Sequence, residues 1–208
     1  MTTNLPFLDR HSVAVVTIDV HRGHLDPEVA TMPLPAEAAA RVTKANAVLV
    51  NAAREKGIPV VHVVTSYHGV EEIAANPWWK SVAGTDATRA NVLNHQLPGS
   101  PGLEVMPDVL DPGYDIVVDT KKRYDAFTSS ELDHVLRSRG IDTILLTGVN
   151  TNSCVLATTV AGNALDYSVV VVEECVDTMD RTLHESALKI IRQAFGWVGT
   201  TEEVLAAL

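Results

Sequence analysis

Cys154 is the residue whose setting most suggests chemistry. The run Ile141 to Val149 is apolar around Ile144, Leu145 and Leu146, and Gly148 opens a polar turn at its end. From Ser153 onward, Val155, Leu156, Thr159 and Val160 recur at helical spacing. The thiol therefore stands at a strand-to-helix turn, in the first turn of the helix. There the positive end of the helix dipole and free backbone N–H groups favour a thiolate. The same N–H groups can hold the oxyanion of an attacked carbonyl. The competing reading is a small buried core cysteine, a common setting for a free thiol. Two charged residues occupy comparable positions. Asp19 ends the β-branched run 13–18, and Lys121 lies just past the run 115–119. Each has an ordinary alternative: a strand-end Asp as a turn or helix cap, a strand-end Lys as a solvated charge.

The elements that would position these groups alternate along the chain. Residues 13–18, 59–65, 115–119, 141–149 and 168–172 read as buried strands, and 197–199 as a short edge strand. Residues 36–56, 129–139, 153 onward, 182–195 and 202–208 read as helices, with Gly57 and Gly140 suited to end the first two. The stretch from Tyr67 to about Pro112 holds most of the Pro and Gly punctuation, so it reads as an irregular excursion with one short helix near 73–79. Apolar strands separated by helices imply an α/β fold: a three-layer α-β-α, Rossmann-like arrangement around a six-stranded, mainly parallel sheet. In such sheets ligands bind beyond the carboxyl ends of the strands. That rule brings Asp19, Lys121 and Cys154 to one edge, although they are far apart in sequence.

Composition narrows the class of function. The 208 residues suffice for one α/β domain spanning 1–208 with a sizeable core. Sixteen basic against 26 acidic residues give a net charge of -10, which argues against a general nucleic-acid binder. The segment Met1 to Arg10 carries no signal-peptide pattern, and no stretch has the ~20 apolar residues that span a bilayer. Two widely spaced cysteines form neither a disulfide framework nor a zinc knuckle. The expected compartment is a reducing cytoplasm, and the expected partner is a small molecule rather than nucleic acid or membrane.

Asp19, the run Thr120-Lys121-Lys122-Arg123-Tyr124-Asp125-Ala126-Phe127 and the run Gly148-Val149-Asn150-Thr151-Asn152-Ser153-Cys154-Val155 carry a resemblance. Together they resemble the isochorismatase-like cysteine hydrolase superfamily, with its Asp after strand one, its K-x-R-Y-S-A-F and its G-V-x-T-x-x-C-V. The superfamily includes isochorismatases, nicotinamidases, and N-carbamoylsarcosine, biuret and ureidoacrylate amidohydrolases. The resemblance implies an isochorismatase-like fold and a catalytic triad in which Cys154 is the nucleophile and Asp19 the proton carrier. Lys121 matches the triad lysine, with Lys122 its solvated neighbour. It also implies an oxyanion hole from the backbone N–H groups of Asn150 and Cys154, a cis peptide between Val149 and Asn150, and a homodimer or homotetramer. The segment from His184 to Val198 is similar to ureidoacrylate and related amidohydrolases.

Departures from the family pattern bear on substrate. Where many members read D-x-Q-N-D-F, this chain reads Asp19-Val20-His21-Arg22-Gly23-His24. His21 replaces the Gln and His24 the aromatic residue. A polar wall of His21, Arg22 and His24 is then expected to hold a carboxylate, carbamoyl or ureido group, the alternative being that these residues shape the turn. Trp78, Trp79, Tyr124, Phe127 and Asn152 are further candidates for the substrate cavity, with packing as the common alternative for the aromatic residues. Arg123 is expected to support its loop by pairing with an acidic residue, and Cys175 to be a core residue. His62, His68 and His95 lack the D-x-H signature of the nicotinamidase metal site, so no catalytic metal and no cofactor are expected. The expected activity is hydrolysis of a C–N bond in a small linear amide, carbamoyl or ureido compound through a Cys thioester. The alternatives are vinyl ether hydrolysis of the isochorismatase type, a nicotinamidase-like amidase, and a non-catalytic binding protein on the same fold.

Overall fold

A computed structural model of the chain describes Leu5, residues 12–85 and residues 89–208. The segment Met1 to Arg10 considered above lies outside the described residues, apart from Leu5. In chain order the elements are β1 (Val13–Ile18), α1 (Arg22–Leu25), α2 (Ala36–Glu55), β2 (Val60–Thr65), α3 (Val70–Ala74) and α4 (Pro77–Val82). Then come β3 (Ile116–Lys121), α5 (Leu132–Arg137), β4 (Thr143–Val149), α6 (Leu156–Ala164), β5 (Ser168–Asp177), α7 (Arg181–Ala194), β6 (Trp197–Gly199) and α8 (Thr201–Ala207). Two 3₁₀ turns, Val92–Asn94 and Pro101–Leu103, complete the excursion between β2 and β3.

The six strands form one sheet in the order β3-β2-β1-β4-β5-β6, and every pairing is parallel. Side chains alternate across a strand, so the sheet sorts its residues between two apolar layers. Val13 and Val15 face Val42, Leu49 and Val50 of α2 and Val204 of α8. Ala14, Val16 and Ile18 join Leu132 and Leu136 of α5 and Leu188 and Ile191 of α7 on the other side. This is the three-layer α-β-α arrangement. A smaller apolar group, Tyr67, Ile73, Trp79 and Val92, holds the excursion together.

The structure differs from the expected elements where the pattern was weakest. The excursion contains two short helices, α3 and α4, because Asn76 caps a new helix by accepting from the N–H groups of Trp78 and Trp79, with Pro77 at its start. Strand β3 continues two residues further than its apolar run, so Lys121 is its last residue rather than a loop residue. Residues 151–155 form a π-helical turn before α6 begins at Leu156, so Cys154 belongs to that turn and not to the first turn of an α-helix.

One glycine fixes how the strand ends meet. Gly148 has φ +104°, and a Cβ there would lie 1.9 Å from the carbonyl oxygen of Ile18. Only glycine permits this conformation and approach. The close contact sets the end of β4 against the end of β1, where Asp19 follows.

Candidate active site

Asp19, Lys121 and Cys154 meet at the carboxyl ends of β1, β3 and β4. Asp19 has φ 53°, a left-handed conformation sparsely used outside glycine, and its N–H is held by the Val63 carbonyl at 2.8 Å. Its Oδ1 accepts from the Thr65 N–H at 2.9 Å and from the Thr65 hydroxyl at 2.8 Å. Lys121 Nζ donates to Asp19 Oδ2 at 2.5 Å, to Thr65 Oγ1 at 2.6 Å and to Cys154 Sγ at 3.5 Å. All three donors of the ammonium therefore have partners. Asp19 and Lys121 are each 1% exposed and Cys154 is 7% exposed.

The protonation states follow from this geometry. Burial alone would push the Asp19 carboxyl up, but Lys121 beside it, with His21, holds it well below the usual carboxylate range. Burial likewise opposes the Lys121 charge, and the charges of Asp19 and Cys154 outweigh it, so the ammonium is retained. The thiol goes the other way. Burial, joined by the Asp19 carboxylate, pushes Cys154 up to about 11 against the pull of Lys121. The expectation of a favoured thiolate is thus corrected. The resting set is carboxylate, ammonium and thiol, because the dipole of one helical turn does not offset desolvation beside a carboxylate.

These groups form one end of a cavity of about 250 Å³. His24, Tyr67, Trp79, His95, Tyr124 and Asn152 are among its walls. Trp79 Nε1 donates to the Tyr124 hydroxyl at 2.8 Å, which locks two aromatic walls to each other. Asn150 and Cys154 both line the cavity, and the peptide between Val149 and Asn150 is cis. Thr178 donates to Asn152 Oδ1 at 2.8 Å and lies 3.3 Å from Asn150 Oδ1, bracing that loop from β5.

Of the residues expected to contact substrate, His24, Trp79, Tyr124 and Asn152 face this cavity and four others do not. Arg22 turns to the surface, where its guanidinium donates to Asp26 and Glu104, each at 2.8 Å. Trp78 is 53% exposed and stacks under Arg89, because neighbouring residues of α4 point about 100° apart and Trp79 takes the inward position. Phe127 stacks on Tyr167 within the apolar layer. His21 is fully buried behind Asp19, its Nε2 3.6 Å from Asp19 Oδ1. Arg123 does support its loop, but it donates to the backbone carbonyls of Lys122 and Glu72 rather than to a carboxylate. Cys175 is a core residue, fully buried. Lys122 is partly buried, donating to the Ser66 carbonyl at 2.7 Å. Sequence reasoning missed Thr65 and the pairing of His24 with His95. Thr65 was open to notice, since it ends β2 one strand away from Asp19.

An α/β sheet whose strand ends bring a thiol, a carboxylate and an ammonium to one cavity defines a class of hydrolase. Comparison with known proteins agrees: the chain belongs to the isochorismatase family, whose isochorismatase domain matches residues 13–203. It is 31% identical over 207 residues to a ureidoacrylate amidohydrolase of Caulobacter vibrioides, covering 94% of this chain and 91% of the relative. Among solved structures it resembles a cysteine hydrolase from Pseudomonas syringae pv. phaseolicola, with a TM-score of 0.82, 24% identity and coverage of 100% and 96%. It also resembles an isochorismatase family protein from Burkholderia thailandensis, with a TM-score of 0.77, 32% identity and coverage of 99% of each chain. No helix among the described residues is long and apolar enough to cross a membrane.

Proposed function

We propose that this protein is a cysteine amidohydrolase that cleaves a carbon–nitrogen bond of a small linear amide, carbamoyl or ureido compound. One observation carries the reading. A single buried ammonium, Lys121 Nζ, touches both the carboxylate of Asp19 and the sulfur of Cys154 at the end of a cavity. A core cysteine needs no such partners. The ureidoacrylate amidohydrolase relative supports the choice of a ureido or amide substrate over an ether.

The reaction follows from the groups present. The thiol proton passes to Asp19 as the sulfur attacks the substrate carbonyl, forming the C–S bond. Lys121 stabilises the anionic sulfur as it forms, opposing the effect of burial. The carbonyl oxygen becomes an oxyanion held by the backbone N–H groups of Asn150 and Cys154. The C–N bond then breaks, Asp19 returns its proton to the departing nitrogen, and ammonia or an amine leaves a thioester on Cys154. Asp19 next takes a proton from water as that water attacks the thioester. The acid is released and the sulfur is reprotonated.

A panel of small amides, carbamoyl compounds and ureido acids, with release of ammonia or amine measured, tests the reading. At least one member is expected to be hydrolysed by the wild type and not by Cys154→Ala. Hydrolysis of a vinyl ether retained in Cys154→Ala, with no amide accepted by either, would replace this reading by ether hydrolysis dependent on Asp19.

A further inference from the structure

Three imidazoles from distant parts of the chain cluster beside the cavity, His24 and His95 on its wall and His21 buried behind them. His21 and His24 come from the turn after β1, and His95 from the excursion. Their ring centroids lie 4.8 Å (His21–His24), 4.7 Å (His24–His95) and 5.8 Å (His21–His95) apart. One ring nitrogen from each lies within 4.8 Å of the others.

Hydrogen bonding decides which nitrogens are presented. His24 Nδ1 lies 2.7 Å from the Met32 carbonyl, which can only accept, so that nitrogen carries the proton and Nε2 keeps its lone pair. His95 Nδ1 lies 2.7 Å from Thr31 Oγ1, a hydroxyl that can donate or accept, so this contact orients the ring without by itself fixing its tautomer. An outer oxygen that fixes one nitrogen and leaves the other basic is the arrangement that metal-binding histidines use. His21 is fully buried; its Nδ1 has no hydrogen-bond partner, and its Nε2 lies 3.6 Å from Asp19 Oδ1, beyond hydrogen-bond distance. A buried polar group without a partner is costly, and burying two on one ring more so. The site is built to hold that ring: a Cβ on Gly23 would come within 3.1 Å of His21 Nδ1 and 2.4 Å of Gln96 Oε1.

We propose that His21, His24 and His95 bind one divalent transition-metal ion of the zinc class, with an open coordination position facing the Cys154 cavity. A set of three imidazoles suits zinc, cobalt or nickel, whereas magnesium and calcium demand oxygen ligands. Donors bound at about 2.1 Å to a tetrahedral ion lie roughly 3.4 Å apart, so the rings need to close by on the order of 1 Å, and the stacked His21 and His24, 16° between planes, need to turn so that their in-plane lone pairs converge. His24 and His95 line the cavity, so the fourth position opens toward it and takes a water or a substrate oxygen. A metal held this way would give a carboxylate or carbamoyl oxygen a fixed anchor beside the reacting carbonyl. The ion-binding claim stands apart from the cysteine chemistry, because Cys154 is not among the ligands.

The test titrates Co²⁺ into tag-free, chelator-treated protein and reads the visible d–d bands of tetrahedral cobalt. Isothermal titration with Zn²⁺ gives stoichiometry and affinity alongside. One ion per chain is expected for the wild type and for Cys154→Ser. Binding should be weakened roughly 100-fold or more in His24→Gln and in His95→Gln. Should those variants fail to fold, the wild type alone decides: Zn²⁺ raises its melting temperature and Mg²⁺ does not. Absence of stoichiometric binding by the wild type overturns the proposal. So does binding unchanged in the folded histidine variants, or a thiolate-to-cobalt band that disappears in Cys154→Ser.

Discussion

Removing the charge of Lys121 while leaving Asp19 in place is expected to destabilise the fold as well as abolish turnover. In Lys121→Met the 1%-exposed Asp19 loses the ammonium at 2.5 Å and keeps the N–H and hydroxyl of Thr65, with His21 Nε2 3.6 Å away. Breaking a buried ion pair from one side costs about 3–5 kcal/mol, because the remaining charge stays desolvated. Removing both charges in Asp19→Asn with Lys121→Met leaves no such charge. The double variant is therefore expected to lose less than the sum of the single losses, by about 2–3 kcal/mol. For a chain of this size that coupling corresponds to roughly 4–12 °C in melting temperature. Chemical denaturation of the four proteins at neutral pH measures it. All three variants should lose at least about 10³-fold in kcat/KM, the combined effect of losing the proton carrier and the thiolate's counter-charge. Additivity within about 0.5 kcal/mol would refute the reasoning, since it would mean that the two groups do not share a desolvated contact.

Acid stability should report a second buried cluster. Asp115 would be pushed up by burial, but hydrogen bonds from His62 and Arg54 hold it at about 2. A depressed carboxylate stabilises the fold above its unfolded value of 3.8 and loses that contribution as pH falls toward 2. About 2 kcal/mol should disappear across that window, and urea unfolding against pH should show a shallower acid limb in Asp115→Asn. Arg22→Ala should leave kcat/KM within about threefold, because its guanidinium serves Asp26 and Glu104 at the surface, whereas Trp79→Ala should raise KM about tenfold or more by opening the cavity wall. Gly148→Ala should yield little folded protein, since its Cβ would overlap the Ile18 carbonyl at 1.9 Å; soluble expression and circular dichroism check this.

The three strand-end residues were legible in the sequence because a parallel sheet leaves little freedom in where its strand ends point. Asp19 directly follows a buried β-branched run, and Cys154 follows an apolar run after a short polar turn, so the hydrophobic pattern placed both near strand ends. Strand β3 is half-exposed along its length, which hid its last two residues and placed Lys121 in a loop. Thr65 was overlooked because a β-branched residue at a strand end looks like more strand. Arg22 was misassigned because its partner Glu104 lies 82 residues away, and no local pattern announces an ion pair between two turns. The two tryptophans illustrate a related limit: α4 is only six residues long, too short for its period to reveal which face is buried. The histidine cluster was invisible for the same reason as Arg22. His95 joins His21 and His24 only through the path of the irregular excursion.

The account rests on Cys154 carrying the substrate covalently, and trapping that state tests it most directly. The best substrate from the amide panel, mixed with enzyme and quenched in acid within one turnover, should leave an intact-mass increase equal to the acyl half. Peptide mapping should assign the increase to Cys154, and Cys154→Ser should show neither the thioester nor turnover at more than about a thousandth of the wild-type rate. Full amide turnover by Cys154→Ala, with no adduct on the wild-type enzyme under the same quench, would contradict the account.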